Sequence, residues 1–244
     1  MRSRSTCWRK LMTISFQFKR LKKQIGNAFV CRQMMADWNP FTRVARLRNA
    51  KPARKNDDDP FGRVPPGQYL ATKFPVLTYG ETPNVNLDNW RLKVWGLVEN
   101  PIELNWQEFR ALPSKEIICD LHCVTRWSQL GMKWEGVPFN EIVKLAQPKP
   151  EAKFVMQHCY GGYTTNLPID EMYEDDVLVA FNYDGKSLPT DHGGPVRMLV
   201  PKLYLWKSAK WLNGLEFMPK DKPGFWENYG YHNHGDPWTE ERFG

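Results

Sequence analysis

Reactive side chains are concentrated in the nine residues Asp120–Ser128. This stretch reads Asp-Leu-His-Cys-Val-Thr-Arg-Trp-Ser and brings together a thiol, an imidazole, two hydroxyls, a guanidinium and a carboxylate. The thiolate of Cys123 would suit a soft redox metal or act as a nucleophile. It sits where an apolar run gives way to polar residues, and proteins commonly present binding atoms at such strand ends. Cys123 is therefore the first candidate for chemistry.

Three further clusters carry groups suited to binding an anion or closing a site. His192-Gly-Gly-Pro-Val-Arg197 places two glycines between an imidazole and a guanidinium. Glycine lets the backbone approach a ligand, and arginine offers planar donors to a phosphate. Lys202–Lys210 combines three lysines with Ser208 and aromatic residues, and Phe225–Asp236 is interpreted as a lid or a fixed surface loop. Together they indicate an anion held by Arg197 and a lysine near a thiolate.

A predicted strand over Glu116–Val124 positions Cys123. Because strand side chains alternate between faces, Cys119 shares a face with Cys123 while His122 lies on the opposite face. Cys119 has an ordinary explanation as a small buried hydrophobic residue. Only Cys123 lies at the end of the strand, where its sulfur is presented to a loop.

The other predicted elements are mostly short strands. A helix over residues 106–112 begins at Asn105, with Glu108 completing a capping box, and a second helix covers Pro138–Ala146. Few helices and no regular βαβ alternation indicate the α+β class, predominantly β. The predicted strands are Trp90–Gly96, a return strand from Ile102, Phe154–Cys159, Val177–Phe181 followed by a turn at Asp184-Gly185, and Val196–Val200.

The charge divides the chain into two parts. Residues 1–59 contain fifteen Lys and Arg against four Asp, whereas residues 60–244 contain nineteen against twenty-three acidic residues. We interpret 1–59 as a basic, disordered leader and 60–244 as the folded domain. A transit segment, or a start at Met34 or Met35, are alternatives for the leader. Five widely spread cysteines, no secretory signal and no long apolar run predict a cytoplasmic protein without a membrane span.

Taken together, these motifs resemble one known family. The Cys-Val-Thr-Arg-Trp-Ser run at Cys123, the His192–Arg197 loop and Trp206-Lys-Ser-Ala-Lys-Trp211 occur in the same order and at similar spacing in the sulfite oxidase family of molybdopterin-dependent oxidoreductases. The resemblance is greatest to its small cytoplasmic, sulfite oxidase-like members and covers residue 60 to the end. It implies a mixed-sheet molybdopterin-binding domain and a molybdenum cofactor carried by a pyranopterin.

The resemblance also implies roles for individual residues. Cys123 is similar to the thiolate ligand of molybdenum, and Tyr229 or Tyr231 to the tyrosine beside the metal. The implied cofactor contacts are Phe74, Thr78, Thr125, His158, His192, Arg197, Ser208, Ala209 and Lys210. The implied reaction is oxygen-atom transfer at a Cys-ligated oxo-molybdenum centre, in either direction, on a small S- or N-oxyanion or oxide.

One departure from the family bears on the substrate. Sulfite oxidases carry an arginine in the first pterin-contacting segment, where this sequence has Val76, so sulfite itself is disfavoured. We expect neither a haem domain nor an Ig-like dimerisation domain. Electrons are then exchanged with a separate donor or acceptor.

Three alternatives remain from the residues alone. Cys119, His122, Cys123 and His158 could bind zinc in a structural β domain, although strand alternation sends their side chains to opposite faces. Cys123 and His192 could form a hydrolase pair without a pterin. A non-enzymatic basic module that binds nucleic acid or anionic lipid depends on the leader alone and explains none of the motifs. We therefore do not expect a nucleic acid partner.

Overall fold

The computed structural model describes residues 39–50, 59 and 62–244. The chain divides into two compact units between Ala45 and Arg46. A helix not expected from the sequence, α1 (Pro40–Arg48), lies within the stretch interpreted as a leader. Most of that stretch lies outside the described residues, so its predicted disorder and the predicted boundary at residue 60 stay predictions. Within the described residues, no helix is long and apolar enough to cross a membrane.

The first sheet of the larger unit has six strands built around a long central one. β5 (Trp127–Pro138) pairs with β1 (Tyr69–Leu70) in parallel and with β4 (Lys115–His122) and β8 (Leu178–Tyr183) in antiparallel fashion. β8 also pairs with β9 (Lys186–Ser187) and β10 (Arg197–Leu199). The strand carrying the reactive stretch, β4, therefore lies beside the longest strand of this sheet.

The second sheet has five strands in the order β3, β2, β11, β6, β7. β11 pairs with β2 in parallel and with β6 in antiparallel fashion, and the outer pairs are antiparallel. Both sheets thus mix parallel and antiparallel neighbours, as predicted for a predominantly β, mixed-sheet domain. The strands are β2 (Arg91–Gly96), β3 (Ile102–Asn105), β6 (Phe154–Cys159), β7 (Thr164–Pro168) and β11 (Leu212–Met218).

Helices are short and cover the sheets. α2 (Trp106–Arg110) begins at the predicted capping box: the Glu108 amide donates to Asn105 Oδ1 at 2.9 Å, and the Asn105 amide donates to Glu108 Oε2 at 2.8 Å. The remaining α-helices are α3 (Phe139–Ala146), α4 (Ile169–Met172) and α5 (Phe225–Asn228), with 3-10 turns at Thr190–His192 and Leu205–Lys207.

The core is continuous across both sheets. The largest buried cluster joins Leu92 and Val94 of β2 to Val179 and Phe181 of β8. The neighbouring residues Leu178 and Ala180 belong to a second cluster on the opposite face of β8. A strand buried on both faces is a continuous apolar run, which is the pattern that predicted this strand.

Candidate active site

Cys123 lies in a tight turn between β4 and β5. Its amide donates to the Trp127 carbonyl at 2.9 Å, and its carbonyl accepts hydrogen bonds from the Arg126 amide at 2.9 Å and from Gln68 Nε2 at 3.1 Å. Arg126 has a positive φ of 74°, which closes the turn. The strand ends at His122, two residues before the predicted end. Hydrogen bonds on both backbone groups of Cys123 fix the position of its sulfur.

The sulfur of Cys123 differs in environment from the other described thiols. Thr125 Oγ1 donates to Cys123 Sγ at 3.1 Å, and a hydroxyl donor stabilises a thiolate. Burial raises the pKa of Cys119 to about 12, and burial likewise raises that of Cys159. Metal ligation requires a thiolate. The environment therefore favours Cys123 as the metal ligand over Cys119 and Cys159.

Arg197, Lys210 and His192 form a cluster of basic groups near Cys123. Arg197 is 2% exposed, and the two terminal nitrogens of its guanidinium donate to the His192 carbonyl at 2.9 Å and the Ser208 carbonyl at 2.8 Å. Burial, reinforced by the neighbouring positive charges, lowers the pKa of Lys210 to about 7 and that of His192 to about 4. Burial lowers the pKa of Arg197 to about 10. Basic groups so crowded and desolvated would be stabilised by an anion.

Glycine is required where the His192 loop meets Lys210. Gly193 has a φ of 108°, and a Cβ there would lie 2.9 Å from Lys210 Cβ and Cγ. The Lys210 ammonium donates to the Asp191 carbonyl at 2.6 Å and to the Leu77 carbonyl at 2.9 Å, and lies 3.3 Å from Thr78 Oγ1. Lys210 thus joins three predicted cofactor-binding segments.

The aromatic ring of Phe74 stacks on the imidazole of His192. Their centroids are 4.0 Å apart and their planes differ by 7°. Nδ1 of His192 is buried without a hydrogen-bond partner among the described residues. A buried imidazole nitrogen without a partner is costly unless a ligand satisfies it. These two predicted contacts therefore meet at one place, with a polar atom available to a ligand.

Gln157, which the sequence analysis did not single out, holds the segment that contains Ser208 and Ala209. Its side chain is fully buried, accepts a hydrogen bond from the Ala209 amide at 3.1 Å and donates to the Lys207 carbonyl at 2.8 Å. Ser208 Oγ accepts from the Val200 amide at 2.9 Å. The alternation of side chains along β6 could have identified it, since residue 157 faces the segment with Ser208 and Ala209 while residue 158 faces the opposite side of the sheet.

His158 lies apart from this cluster in its described contacts. Its Nε2 is 2.9 Å from Glu216 Oε2, and its ring lies 4.8 Å from that of Trp95. The structure thus places it on the other face of β6 from Gln157. Its role as a cofactor contact stays a prediction, and it is the predicted site residue whose position supports that role least.

Tyr229 and Tyr231 belong to an aromatic cluster around α5. Tyr231 is 5% exposed and stacks on Trp226, with ring centroids 4.9 Å apart, while Trp206 packs edge-on at 4.9 Å. Tyr229 is half-buried and packs against Phe225 at 5.0 Å. The segment interpreted as a lid or fixed loop is therefore a short helix and turn packed by aromatic rings, which agrees with a fixed element.

These residues fit a metal carried by an anionic cofactor. Cys123 supplies a soft thiolate, and the basic cluster suits a phosphate. The buried Nδ1 of His192 could form a hydrogen bond to such a ligand. Within the described ranges, no group of three or more His, Cys, Asp or Glu side chains is placed to hold a metal ion. The alternative zinc set is not assembled there, and His122 instead lies 2.8 Å from Ser128 Oγ. A metal bound by Cys123 would have to bring other ligands with it.

Comparison with known proteins agrees with this fit. Residues 79–226 match the family model described as the oxidoreductase molybdopterin binding domain. A solved structure of the sulfane dehydrogenase SoxCD from Paracoccus pantotrophus matches with a TM-score of 0.54 and 23% identity, over 58% of this chain and 41% of that one. At that identity the structural match supports the fold alone.

Relatives in sequence extend the match to most of the chain. YuiH of Bacillus subtilis (strain 168), described as an uncharacterized oxidoreductase, is 44% identical over 78% of this chain and 96% of its own length. A putative protein-methionine-sulfoxide reductase subunit, YedZ1 of Azospira oryzae, is 29% identical over 77% of this chain and 72% of its own. MsrP of Campylobacter jejuni, a protein-methionine-sulfoxide reductase catalytic subunit, is 28% identical over 62% and 57%. The chain belongs to the oxidoreductase molybdopterin-binding domain family and is a molybdopterin oxidoreductase of the kind to which sulfite oxidases and MsrP belong.

Proposed function

We propose that this enzyme binds molybdenum–pyranopterin with Cys123 as its thiolate ligand and transfers an oxygen atom to or from a small oxide. The observation that carries the proposal is the placement of a hydrogen-bonded thiol near three basic groups whose pKa values are lowered together. Such a combination matches a thiophilic metal and a phosphate in one ligand.

In this proposal each residue has a separate task. Arg197 and Lys210 neutralise the phosphate, His192 forms a hydrogen bond to the cofactor through Nδ1, and Phe74 packs beside the pterin. Thr125 holds the Cys123 thiolate by donating to its sulfur. The bound cofactor supplies two-electron oxygen-atom transfer, and the protein supplies orientation and electrostatics. Tyr229 or Tyr231 donates a hydrogen bond to the substrate oxygen.

For the substrate, we propose an oxide of sulfur in preference to sulfite. MsrP is a protein-methionine-sulfoxide reductase and YedZ1 a putative one, and the sulfoxide group that these names specify is neutral. Val76 lies where sulfite oxidases have an arginine, and it is 51% exposed. A neutral sulfoxide does not require that positive charge, whereas a sulfite dianion would benefit from it.

Electrons must reach the site from outside this chain in the proposed cycle. The described residues contain no group of three or more His, Cys, Asp or Glu side chains placed to hold a redox metal of its own. Two relatives are named as subunits, one of them catalytic. We therefore propose a separate electron-transfer protein or carrier as the partner.

Metal and pterin analysis of the purified protein tests the proposal. Protein expressed with molybdate is assayed for metals by mass spectrometry and for pterin by the fluorescence of its oxidised form. About one molybdenum and one pterin per chain is expected. Zinc without pterin under the same conditions would refute the proposal.

Substitution at two cysteines of the same region then tests the ligand. Cys123→Ser should abolish reduction of a small sulfoxide by a dye reductant while most pterin stays bound, because the phosphate contacts lie elsewhere. Cys119→Ser is the matched control, since this thiol lies four residues earlier, in the strand β4 that leads to Cys123. Activity that survives Cys123→Ser would exclude Cys123 as the ligand.

A further inference from the structure

A buried ion pair joins the two segments that carry the proposed cofactor and substrate contacts. Lys207 Nζ lies 2.6 Å from Glu227 Oε1, and the two side chains are 0% and 2% exposed. Lysine and glutamate are almost never this buried unless they are paired. The pair is the most deeply buried of the described salt bridges.

Both charged groups have additional polar partners. Glu227 Oε1 also accepts from Thr165 Oγ1 at 2.9 Å and from Trp206 Nε1 at 3.0 Å. Lys207 Nζ also donates to the Asn166 carbonyl at 2.8 Å. Burial lowers the pKa of Lys207, while Glu227 opposes that change. Several donors converging on one carboxylate oxygen hold α5 at a defined position against β7 and the 3-10 turn that ends at Lys207.

A stability role alone explains the pair poorly. Desolvation offsets most of the attraction in a buried ion pair, and a well-packed apolar pair of similar volume is often as stable. Glu227 Oε2 is buried with no partner among the described residues, which adds to that cost. What such a pair can provide, despite this cost in stability, is a fixed relative position of the two segments that it joins.

The pair connects the chain segments that carry the two halves of the proposed site. Lys207 immediately precedes Ser208–Lys210, and Glu227 lies in α5 two residues before Tyr229 and four before Tyr231. Trp206 donates to Glu227, and its ring packs against Tyr231. Movement of Glu227 would therefore displace the tyrosines relative to the cofactor segment.

We propose that Lys207 and Glu227 are positioning residues that fix the distance between the tyrosine segment 225–231 and the cofactor segment 208–210. The inference rests on the proposed function for its catalytic consequence, although the positional effect itself does not require a bound cofactor. Neither residue is proposed to contact the substrate. Their effect on the reaction is exerted through Tyr229 or Tyr231.

Hydrogen exchange and kinetics of three variants test this role. Glu227→Gln and Lys207→Met each remove one charge, and Lys207→Met/Glu227→Gln removes both. Loss of a charge-assisted hydrogen bond should speed amide exchange in residues 225–231 by about tenfold or more. A displaced tyrosine should lower kcat by about ten- to hundredfold at unchanged molybdenum content, with a smaller change in KM.

The double variant separates positioning from stability. It leaves no unpaired buried charge, so its urea midpoint should return towards that of the wild type. Its kcat should stay low and exchange in 225–231 should stay fast, because the two segments are no longer joined. Lys133→Met/Glu116→Gln is the matched control on an exposed pair 2.8 Å apart and should change none of these quantities.

Two results would overturn the inference. One is unchanged exchange of 225–231 in both single variants, and the other is recovery of kcat together with stability in the double variant. Should the single variants fail to fold, Thr165→Val removes one donor to Glu227 and must still speed exchange in 225–231. Amide exchange of residues 225–231 can be measured whether or not pterin is bound. A protein that lacks the cofactor would refute the proposed function, and the exchange rates would still test the positioning role of Lys207 and Glu227.

Discussion

Replacement of Gln157 by leucine tests how the cofactor segment is held. The Gln157 side chain satisfies the Lys207 carbonyl and the Ala209 amide inside the protein, at 2.8 Å and 3.1 Å. Gln157→Leu leaves both backbone groups buried and unpaired. Each unsatisfied group costs about 1–3 kcal/mol.

The expected loss of stability follows from these two groups. Leucine recovers about 1 kcal/mol by burying more apolar surface. The net effect is a free energy of unfolding lower by about 1–5 kcal/mol. Because Lys210 lies in the released segment, bound molybdenum per chain should also fall.

Urea unfolding and metal analysis of the variant provide the assay. Gln107→Leu, at an exposed position of α2, is the control and should stay within about 0.5 kcal/mol of the wild type. If Gln157→Leu unfolds at the wild-type urea midpoint and retains its molybdenum, then Gln157 does not hold this segment.

Three further predictions concern the site and the fold. Gly193→Ala should cost about 1–3 kcal/mol and lower the molybdenum content, because its φ is 108° and its Cβ would meet Lys210, whereas Gly185→Ala faces open space and should cost less by urea unfolding. The pKa of Lys210 is about 7 in the folded protein against an ordinary 10.5, so between pH 7 and pH 10.5 the unfolded chain binds more protons than the folded protein. Cofactor-free protein should therefore become more stable as pH rises from 7 towards 10.5, and Lys210→Met should weaken that rise in the urea midpoint. Asn105→Ala removes the cap of α2 and should cost about 1 kcal/mol without changing molybdenum content; a loss above about 3 kcal/mol would contradict a purely local cap.

Local patterns predicted the elements that obey a simple period. The apolar alternation of Trp90–Gly96 and the Asn105–Glu108 capping box were confirmed almost residue for residue. The central strands β5 and β11 were missed. β5 carries register shifts against β4 and β8, and its Trp127–Ser128 start was interpreted as part of the loop after Cys123. Bulges interrupt the alternation on which strand prediction depends.

At the site, sequence motifs identified the loops that surround it, but they did not identify all of the residues that hold those loops in place. The structure brings His192, Arg197, Lys210 and Phe74 into contact through the Gly-Gly turn, while their roles toward a cofactor stay predictions. Gln157 was not identified, since an isolated glutamine has no signature before strand parity is known. The Lys207–Glu227 pair was likewise hidden, because the sequence does not show that charges twenty residues apart are buried together.

X-ray absorption at the molybdenum edge shows directly whether the sulfur of Cys123 coordinates molybdenum. Spectra of the purified wild type and Cys123→Ser are compared at matched molybdenum content, with Cys119→Ser as the control. We expect molybdenum in Cys123→Ser to lose one sulfur ligand and molybdenum in Cys119→Ser to lose none. An unchanged sulfur count in Cys123→Ser would contradict this expectation.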